Sequence, residues 1–228
     1  MDLILLVQVL PLAVGAAVSP TVLTVQIVLM ADGSPGLARA WGLAIGRTTA
    51  LAVLCVGGVG LLNLLPDVNT GGPSLAEGLI SLGAGLALGV MALIQWRRPR
   101  APDHHTKVAA RLARIHPAVL VPVGFLWQFV SVSTLALFIP ALHVVTSATA
   151  PDVVKLVALI ELVAITSLMW LGPPLYVSVF GGKATVNLNR LHDWFVAHGH
   201  QIKLVVEVGF SVGLVALGTV ITVTELGG

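Results

Sequence analysis

Six long apolar stretches dominate this sequence of 228 residues and limit what it can fold into. A helix needs about 20 mostly apolar residues to cross the hydrocarbon of a bilayer, and every stretch reaches that length. Hydrophobic residues make up 57% of the chain and charged residues only 10%, which leaves too few polar residues to cover a soluble surface. The sequence therefore predicts an all-α membrane protein with six transmembrane helices. The stretches span approximately residues 3–29, 40–62, 75–96, 118–146, 153–180 and 202–224.

The distribution of basic residues predicts how these helices are oriented. Arg and Lys residues cluster in the segment 97–117, whereas the segment that follows the second stretch has only Asp67 as a charged residue. Because basic loops remain in the cytoplasm, the third helix is predicted to end inside and both termini to face outward. The pI near 9.0 reflects this excess, and no interleaving of aromatic and basic residues indicates a nucleic-acid partner.

The same pattern divides the chain into two halves. Residues 1–96 are predicted to form a first three-helix repeat and residues 118–228 a second one, with inverted orientation. Residues 97–117 form a cytoplasmic linker with a basic amphipathic helix, which we expect either to lie on anionic headgroups or to be solvated. A second amphipathic segment, 184–200, is expected to lie along the inner surface before the last helix.

A Ser-Pro pair interrupts the first apolar stretch at Ser19 and Pro20. A proline inside a helix removes a backbone hydrogen bond, and in a membrane the freed carbonyl must find a partner or line a wet cavity. The fourth stretch has a similar character, because polar residues follow one another between Pro122 and Pro140. Interrupted helices at corresponding places in two halves indicate a midplane binding site. The alternative is that these residues only bend helices that pack on their neighbours.

The polar side chains beside these interruptions are the candidate substrate-binding residues. Hydroxyl and amide groups would orient a solute, while the interrupted backbone would supply further carbonyl and amide groups. The candidates are Ser19, Pro20, Thr21, Thr24, Gln26, Gln128, Ser131, Ser133 and Thr134.

Ionisable residues within the apolar stretches are candidates for ion coupling. Such residues are costly in lipid and usually face a cavity or a charged partner. Arg47 and Glu207 are predicted to lie in the inner half of the membrane, where a structural salt bridge between them is an alternative to a functional role. Glu161 is predicted to lie in the outer half with His143 above it, and its carboxylate is the better candidate for proton coupling.

Other chemistry finds no support in the sequence. No Ser/His/Asp set, phosphate loop or zinc-protease motif is present, so we expect neither enzyme activity nor a cofactor. The adjacent residues His104 and His105 lack the ligand spacing of a metal site, and none is expected. Cys55 is the only cysteine and is predicted to be packed. Pairs of glycines four residues apart predict close helix packing, with a homodimer as one outcome.

The two ends of the chain carry motifs with a recognisable layout. The first is "PLAVGAAVSPTVLTVQIVLMADGSPGLARAWGLAIGR", in which a Ser-Pro is followed by a short turn and a Gly-containing second span. The second is "LNRLHDWFVAHGHQIKLVVEVGFSVGLVALGTVI", an amphipathic segment with a Trp before a Gly-rich span. Together they resemble the actinobacterial GAP or sulfolipid-addressing family within the lysine-exporter (LysE) superfamily. In the fourth span, where that family often has Asn-Pro-Lys, this chain has "QFVSVSTLALF".

The resemblance implies an exporter in the bacterial inner membrane, with Ser19 and Pro20 at the place of the family's first-span motif. Members are associated with moving glycolipids to the cell surface, and relatives export amino acids. We therefore expect a secondary transporter that exports a small or amphipathic solute, including an envelope glycolipid, and that contacts membrane lipids. The alternative is a membrane scaffold that assembles a lipid-export machinery without transporting anything itself.

Overall fold

Eight α-helices account for most of the residues that the computed structural model describes, which are 2–31, 34–63, 75–97, 108 and 111–227. The helices are α1 (Asp2–Ala17), α2 (Pro20–Met30), α3 (Ser34–Asn63), α4 (Leu75–Arg97), α5 (Pro117–Val130), α6 (Val132–Ser147), α7 (Asp152–Phe180) and α8 (Gly182–Gly227). The prediction of an all-α fold is confirmed for this part of the chain.

Among the described residues, three helices are long and apolar enough to cross a membrane by themselves, and two bent helix pairs qualify if each pair counts as one span. The bend between α1 and α2 is 59°, and the bend between α5 and α6 is 73°. The described apolar part of α4, Gly78–Ile94, is shorter. The single-helix spans are Pro35–Gly60 in α3, Asp152–Phe180 in α7 and Leu204–Thr224 in α8.

The outer surface of the bundle is apolar. Large aliphatic side chains such as Val7, Val56 and Val130 are 68%, 76% and 75% exposed. Water would make such a surface unfavourable, whereas the acyl chains of a bilayer are as apolar as the side chains themselves. Together with the apolar spans, this surface is that of a multi-pass membrane protein.

Glycines allow two helix pairs to pack closely. A Cβ at Gly46 of α3 would meet the backbone carbonyl of Val121 on α5. In the second pair, the Ser211 hydroxyl of α8 donates to the Gly85 carbonyl of α4 at 2.7 Å. Both contacts agree with the glycine pairs 42/46 and 85/89 in the sequence. The third pair of glycines in the sequence is Gly209 and Gly213. A Cβ at either of these glycines would meet no atom within 4 Å among the described residues.

The structure describes the second predicted amphipathic segment and part of the first. The segment 184–200 continues without a break into the last span, and both belong to the single helix α8. Of the predicted linker, only Arg97, Val108 and residues 111–117 lie among the described residues. There Leu112 is buried in an apolar cluster with Leu120 and Leu188, so the linker packs on the rest of the protein at this residue. His104 and His105 lie outside the described residues.

Candidate functional site

The first helix break lies at the predicted Ser-Pro pair. The helix α1 ends at Ala17, and α2 begins at Pro20. The carbonyl of Ser19 accepts hydrogen bonds from the backbone N–H groups of Val22 at 3.0 Å and Leu23 at 3.2 Å. Proline is favourable at a first helical position, because its missing N–H would have no helical partner there. Pro20 therefore begins a helix instead of kinking one, and the predicted interruption is confirmed.

The second break lies at Ser131, between α5 and α6. The Ser131 N–H donates to the carbonyl of Gln128 at 3.2 Å, and the Ser131 hydroxyl lies 3.0 Å from that of Thr134. Pro122 and Pro140 are both inside helices, so neither proline is at the break. The sequence identified the polar residues of this region, but not the position of the bend.

The predicted binding residues differ in their burial. Ser131 and Thr134 are in direct contact, whereas Gln26 donates to the carbonyls of Ala40 on α3 at 3.3 Å and Trp170 on α7 at 3.1 Å. The structure thus connects α2 to the rest of the polar interior through α3 and α7. Fully buried are Gln26, Gln128 and Thr134; half-buried are Ser19, Thr21, Thr24, Ser131 and Ser133.

Arg47 is the buried charge at the centre of the molecule. It is 0% exposed and lies near the middle of the apolar segment of α3, about 18 Å from either end. Its guanidinium carbon is 4.5 Å from the ring centroid of Trp170 and 6.0 Å from that of Trp127. Within the described residues, none of its three nitrogens has a hydrogen-bond partner. The guanidinium therefore donates no hydrogen bond to Glu207, the partner that the sequence suggested.

Gln128 of α5 follows Trp127, whose ring centroid lies 6.0 Å from the Arg47 guanidinium carbon. A Cβ at Gly124 would meet the backbone of Leu43, and the contacts at Gly42 and Gly46 show that both helices advance in the same direction. One helical turn beyond Gly124 and Leu43 lie Gln128 and Arg47, so the helix periods place these two residues at the same level of the α3–α5 pair. Neither amide atom of Gln128 has a hydrogen-bond partner in the described part of the chain.

The helix α7, whose Trp170 lies against the Arg47 guanidinium, contributes two buried hydroxyl groups. The Trp170 indole N–H donates to the Thr48 hydroxyl at 3.1 Å, which holds the ring beside α3. Thr166 and Ser167 lie one turn before Trp170, are 0% exposed, and have hydroxyls without a partner among the residues described. Helical Ser and Thr commonly bond to the carbonyl four residues earlier, and these two do not.

We call these side chains the central polar cluster. They come from four helices, α2, α3, α5 and α7, and each has at least one buried polar atom without a hydrogen bond in the described structure. Buried polar groups are normally paired, so a cluster of exceptions points to a function. Its members are Gln26, Arg47, Gln128, Thr166 and Ser167.

The other ion-coupling candidates lie on α6, α7 and α8. His143 on α6 is 2% exposed and lies 3.3 Å from the Ser147 hydroxyl through Nε2, and Glu161 on α7 is half-buried. Glu207 is buried on α8, which packs mainly on α4. Their role in coupling stays a prediction. No group of three or more potential metal ligands occurs in the described ranges.

An apolar groove lies beside the central polar cluster. Its volume is about 470 Å³, which is within the range of roughly 300–1,000 Å³ typical of small-molecule pockets. Asn187 donates to the Tyr176 hydroxyl at 3.1 Å and provides its polar part. The groove lies between α2, α7 and α8, and its apolar lining includes Leu23, Met169, Gly172, Pro173, Leu188 and Leu191.

Sequence reasoning identified three members of the cluster and missed two. Gln26 and Gln128 were found beside the interruptions, and Arg47 as a charge in an apolar stretch. Thr166 and Ser167 were overlooked, although a pair of adjacent hydroxyl residues within an apolar span is a signal that could have been used. The two tryptophans at Arg47 give no such signal, because tryptophan is common in membrane proteins.

Comparison with known proteins gives one match. Curated proteins yield no similar sequence, and solved structures yield no similar fold. A family model described as Sap, sulfolipid-1-addressing protein, matches residues 9–220. Because this match extends over nearly the whole chain and includes all members of the central polar cluster, the protein belongs to the sulfolipid-1-addressing protein family.

Proposed function

We propose that this protein is a secondary transporter that exports an amphipathic solute through the central polar cluster. The observation that carries the proposal is a buried set of polar groups without partners at the junction of both halves of the chain. A scaffold has no use for such a set, because each unpaired buried polar group costs about 1–3 kcal/mol of stability. A transporter has a use for it, since the substrate supplies the missing hydrogen bonds.

The helix contacts support an arrangement of two inverted repeats with six spans. In this arrangement α4 is a span as well, in addition to the three single helices and the two bent pairs. If α1 to α4 correspond to α5 to α8, most contacts occur in matched pairs. The helix α1 packs on α7 as α5 packs on α3, and α2 packs on α8 as α6 packs on α4. The bent pairs occupy corresponding positions, as in transporters whose sites lie between inverted repeats.

The groove beside the cluster supports an amphipathic rather than a small polar substrate. An acyl chain would bury its apolar surface against Leu23, Met169 and Leu191, while the polar end would reach the cluster. The name of the family, which refers to addressing of a sulfolipid, agrees with such a substrate. We place the protein in the bacterial inner membrane with both termini outside, because the basic segment 97–117 favours the cytoplasm.

Reconstitution into liposomes would test transport. An acyl-labelled fluorescent phosphatidylglycerol is placed in both leaflets, and dithionite quenching measures how fast the label moves between them. We expect Gln128→Leu and Thr166→Val to slow the movement about tenfold or more, because each removes a polar group from the path. Thr219→Val is the matched control, since the Thr219 hydroxyl is exposed and bonds its own helix at 2.7 Å. Equal rates in all three variants and in empty liposomes would contradict the proposal.

The scaffold hypothesis rests on a different surface. On α8, Leu191 is 41% and Trp194 49% exposed, which suits a partner protein. Replacing Trp194, which does not line the groove, with serine should abolish lipid export in cells and spare the liposome assay if the protein is a scaffold. The transporter hypothesis predicts instead that Thr166→Val impairs both lipid export in cells and lipid movement in liposomes.

A further inference from the structure

The Arg47 guanidinium is the least expected feature of the central polar cluster. A charge that is taken out of water without a partner costs several kcal/mol, which is why buried cations in proteins are normally paired with a carboxylate or several acceptors. Arg47 is 0% exposed, and all three of its nitrogens have no hydrogen bond within the described residues. The rings of Trp170 and Trp127 attract the cation by their faces and use none of its N–H groups.

The surroundings of Arg47 are suited to an anion. The guanidinium presents five N–H donors in a planar fork that matches the oxygens of carboxylate, phosphate and sulfate groups. The amide of Gln128 and the hydroxyls of Thr166 and Ser167 are additional donors, and none of them is used by the described part of the protein. An incoming anion would therefore gain charge-assisted hydrogen bonds without displacing existing ones.

We infer that Arg47 binds the anionic group of the transported molecule, a sulfate, phosphate or carboxylate, with Gln128, Thr166 and Ser167 as further donors. The inference rests on the proposed function, because it takes the anion to be part of a transported molecule. The binding site itself can be tested without transport. Trp170 is a positioning residue, because its bond to Thr48 keeps the ring against the guanidinium.

A binding experiment on the purified full-length protein in dodecyl maltoside tests the site. Octyl sulfate is titrated, with neutral octyl glucoside and cationic octyltrimethylammonium as controls for the alkyl chain. Inorganic sulfate at the same ionic strength separates a free anion from an amphiphile headgroup. Two signals are recorded: tryptophan fluorescence, because two tryptophans flank Arg47, and the melting temperature, because a ligand that binds only the native state raises it.

The variants are Arg47→Gln, Arg47→Lys and, as a matched control, Arg190→Gln, which removes an exposed charge. We expect the apparent Kd for octyl sulfate to rise about 30-fold or more in Arg47→Gln, because a buried anion loses its charge partner. Arg47→Lys should bind with intermediate affinity, since it retains the charge without the fork. Arg190→Gln should match the wild type. If Arg47→Gln does not fold, the apparent Kd of Arg47→Lys for octyl sulfate is compared with that of the wild type, and a weaker affinity of the variant supports the site.

The site is overturned if octyl sulfate and octyl glucoside stabilise the protein equally, if Arg47→Gln or Arg47→Lys binds as the wild type does, or if no anion binds. Binding of inorganic sulfate as tight as that of octyl sulfate supports the anion site and assigns it to a free anion. The liposome assay separates the two proposals. Anion binding without lipid movement contradicts transport only, whereas lipid movement that is unaffected by Arg47→Gln contradicts the anion site only.

Discussion

Replacing Arg47 with methionine should make the empty protein more stable while it removes the response to anions. Methionine is shorter than arginine, but it is unbranched, flexible and apolar, so it suits the space between Trp127 and Trp170. An arginine at the centre of a membrane helix costs about 2.5–3.5 kcal/mol on insertion scales. The contact with the tryptophan rings stabilises the cation by about 0.5–2 kcal/mol. The difference is a gain of roughly 0.5–3 kcal/mol on removing the charge, since no hydrogen bond of the guanidinium is lost.

The melting temperature of the detergent-solubilised protein measures this gain. Cys55 is the only cysteine and is 7% exposed, so a thiol-reactive dye reports unfolding from a single site. At about 2–4 °C per kcal/mol for a chain of this size, Arg47→Met should melt roughly 1–12 °C above the wild type. Octyl sulfate should narrow or reverse the difference in melting temperature between Arg47→Met and the wild type, because it stabilises only the wild type.

Arg39→Met on the same helix is the matched control. The Arg39 Nε donates to the carbonyl of Ile115 at 3.2 Å, so its removal should lower the free energy of unfolding by about 1.5–3 kcal/mol. The two substitutions are therefore expected to have opposite signs. A melting temperature of Arg47→Met that falls as far as that of Arg39→Met would refute the reasoning, because Arg47 would then be a structural residue.

Two further predictions concern the helices around the cluster. Gly46→Val should destabilise the protein by about 1–3 kcal/mol, because the new side chain meets the backbone carbonyl of Val121, whereas Gly57→Val on the same helix meets nothing within 4 Å and should be neutral in the same melting assay. Trp170→Phe should lower the melting temperature and weaken binding of octyl sulfate, because it removes the bond to Thr48 and a better cation-binding ring; unchanged affinity would contradict the positioning role of the indole.

The two helix breaks show what the sequence could reveal. The first was predicted correctly, because proline forbids one backbone hydrogen bond and its effect is local. The second lies at Ser131, while the prolines on either side, Pro122 and Pro140, are accommodated inside helices. Which of several polar residues becomes the break depends on how α5 and α6 pack on other helices, and that is a property of the whole fold.

The central polar cluster shows a similar division. The cost of a charge in lipid made Arg47 a candidate from the sequence alone. The residues in contact with its guanidinium, Trp127 and Trp170, come from α5 and α7, which are far away along the chain, so only the packing of those helices on α3 brings them together. Glu207, the partner that the sequence suggested, lies on α8, which packs mainly on α4, and it accepts no hydrogen bond from the guanidinium.

The close packing of α3 on α5 has a mechanical consequence. Backbone touches backbone where Gly42, Gly46 and Gly124 lie, and these contacts join a helix of the first half of the chain to a helix of the second. Atoms in such contact cannot slide past each other without large repulsion, so the two helices should move as one rigid body. The chain halves are therefore not the moving parts. We expect any rearrangement to divide the bundle at Ser19 and Ser131, where the backbone already changes direction, so that each moving body contains helices from both halves.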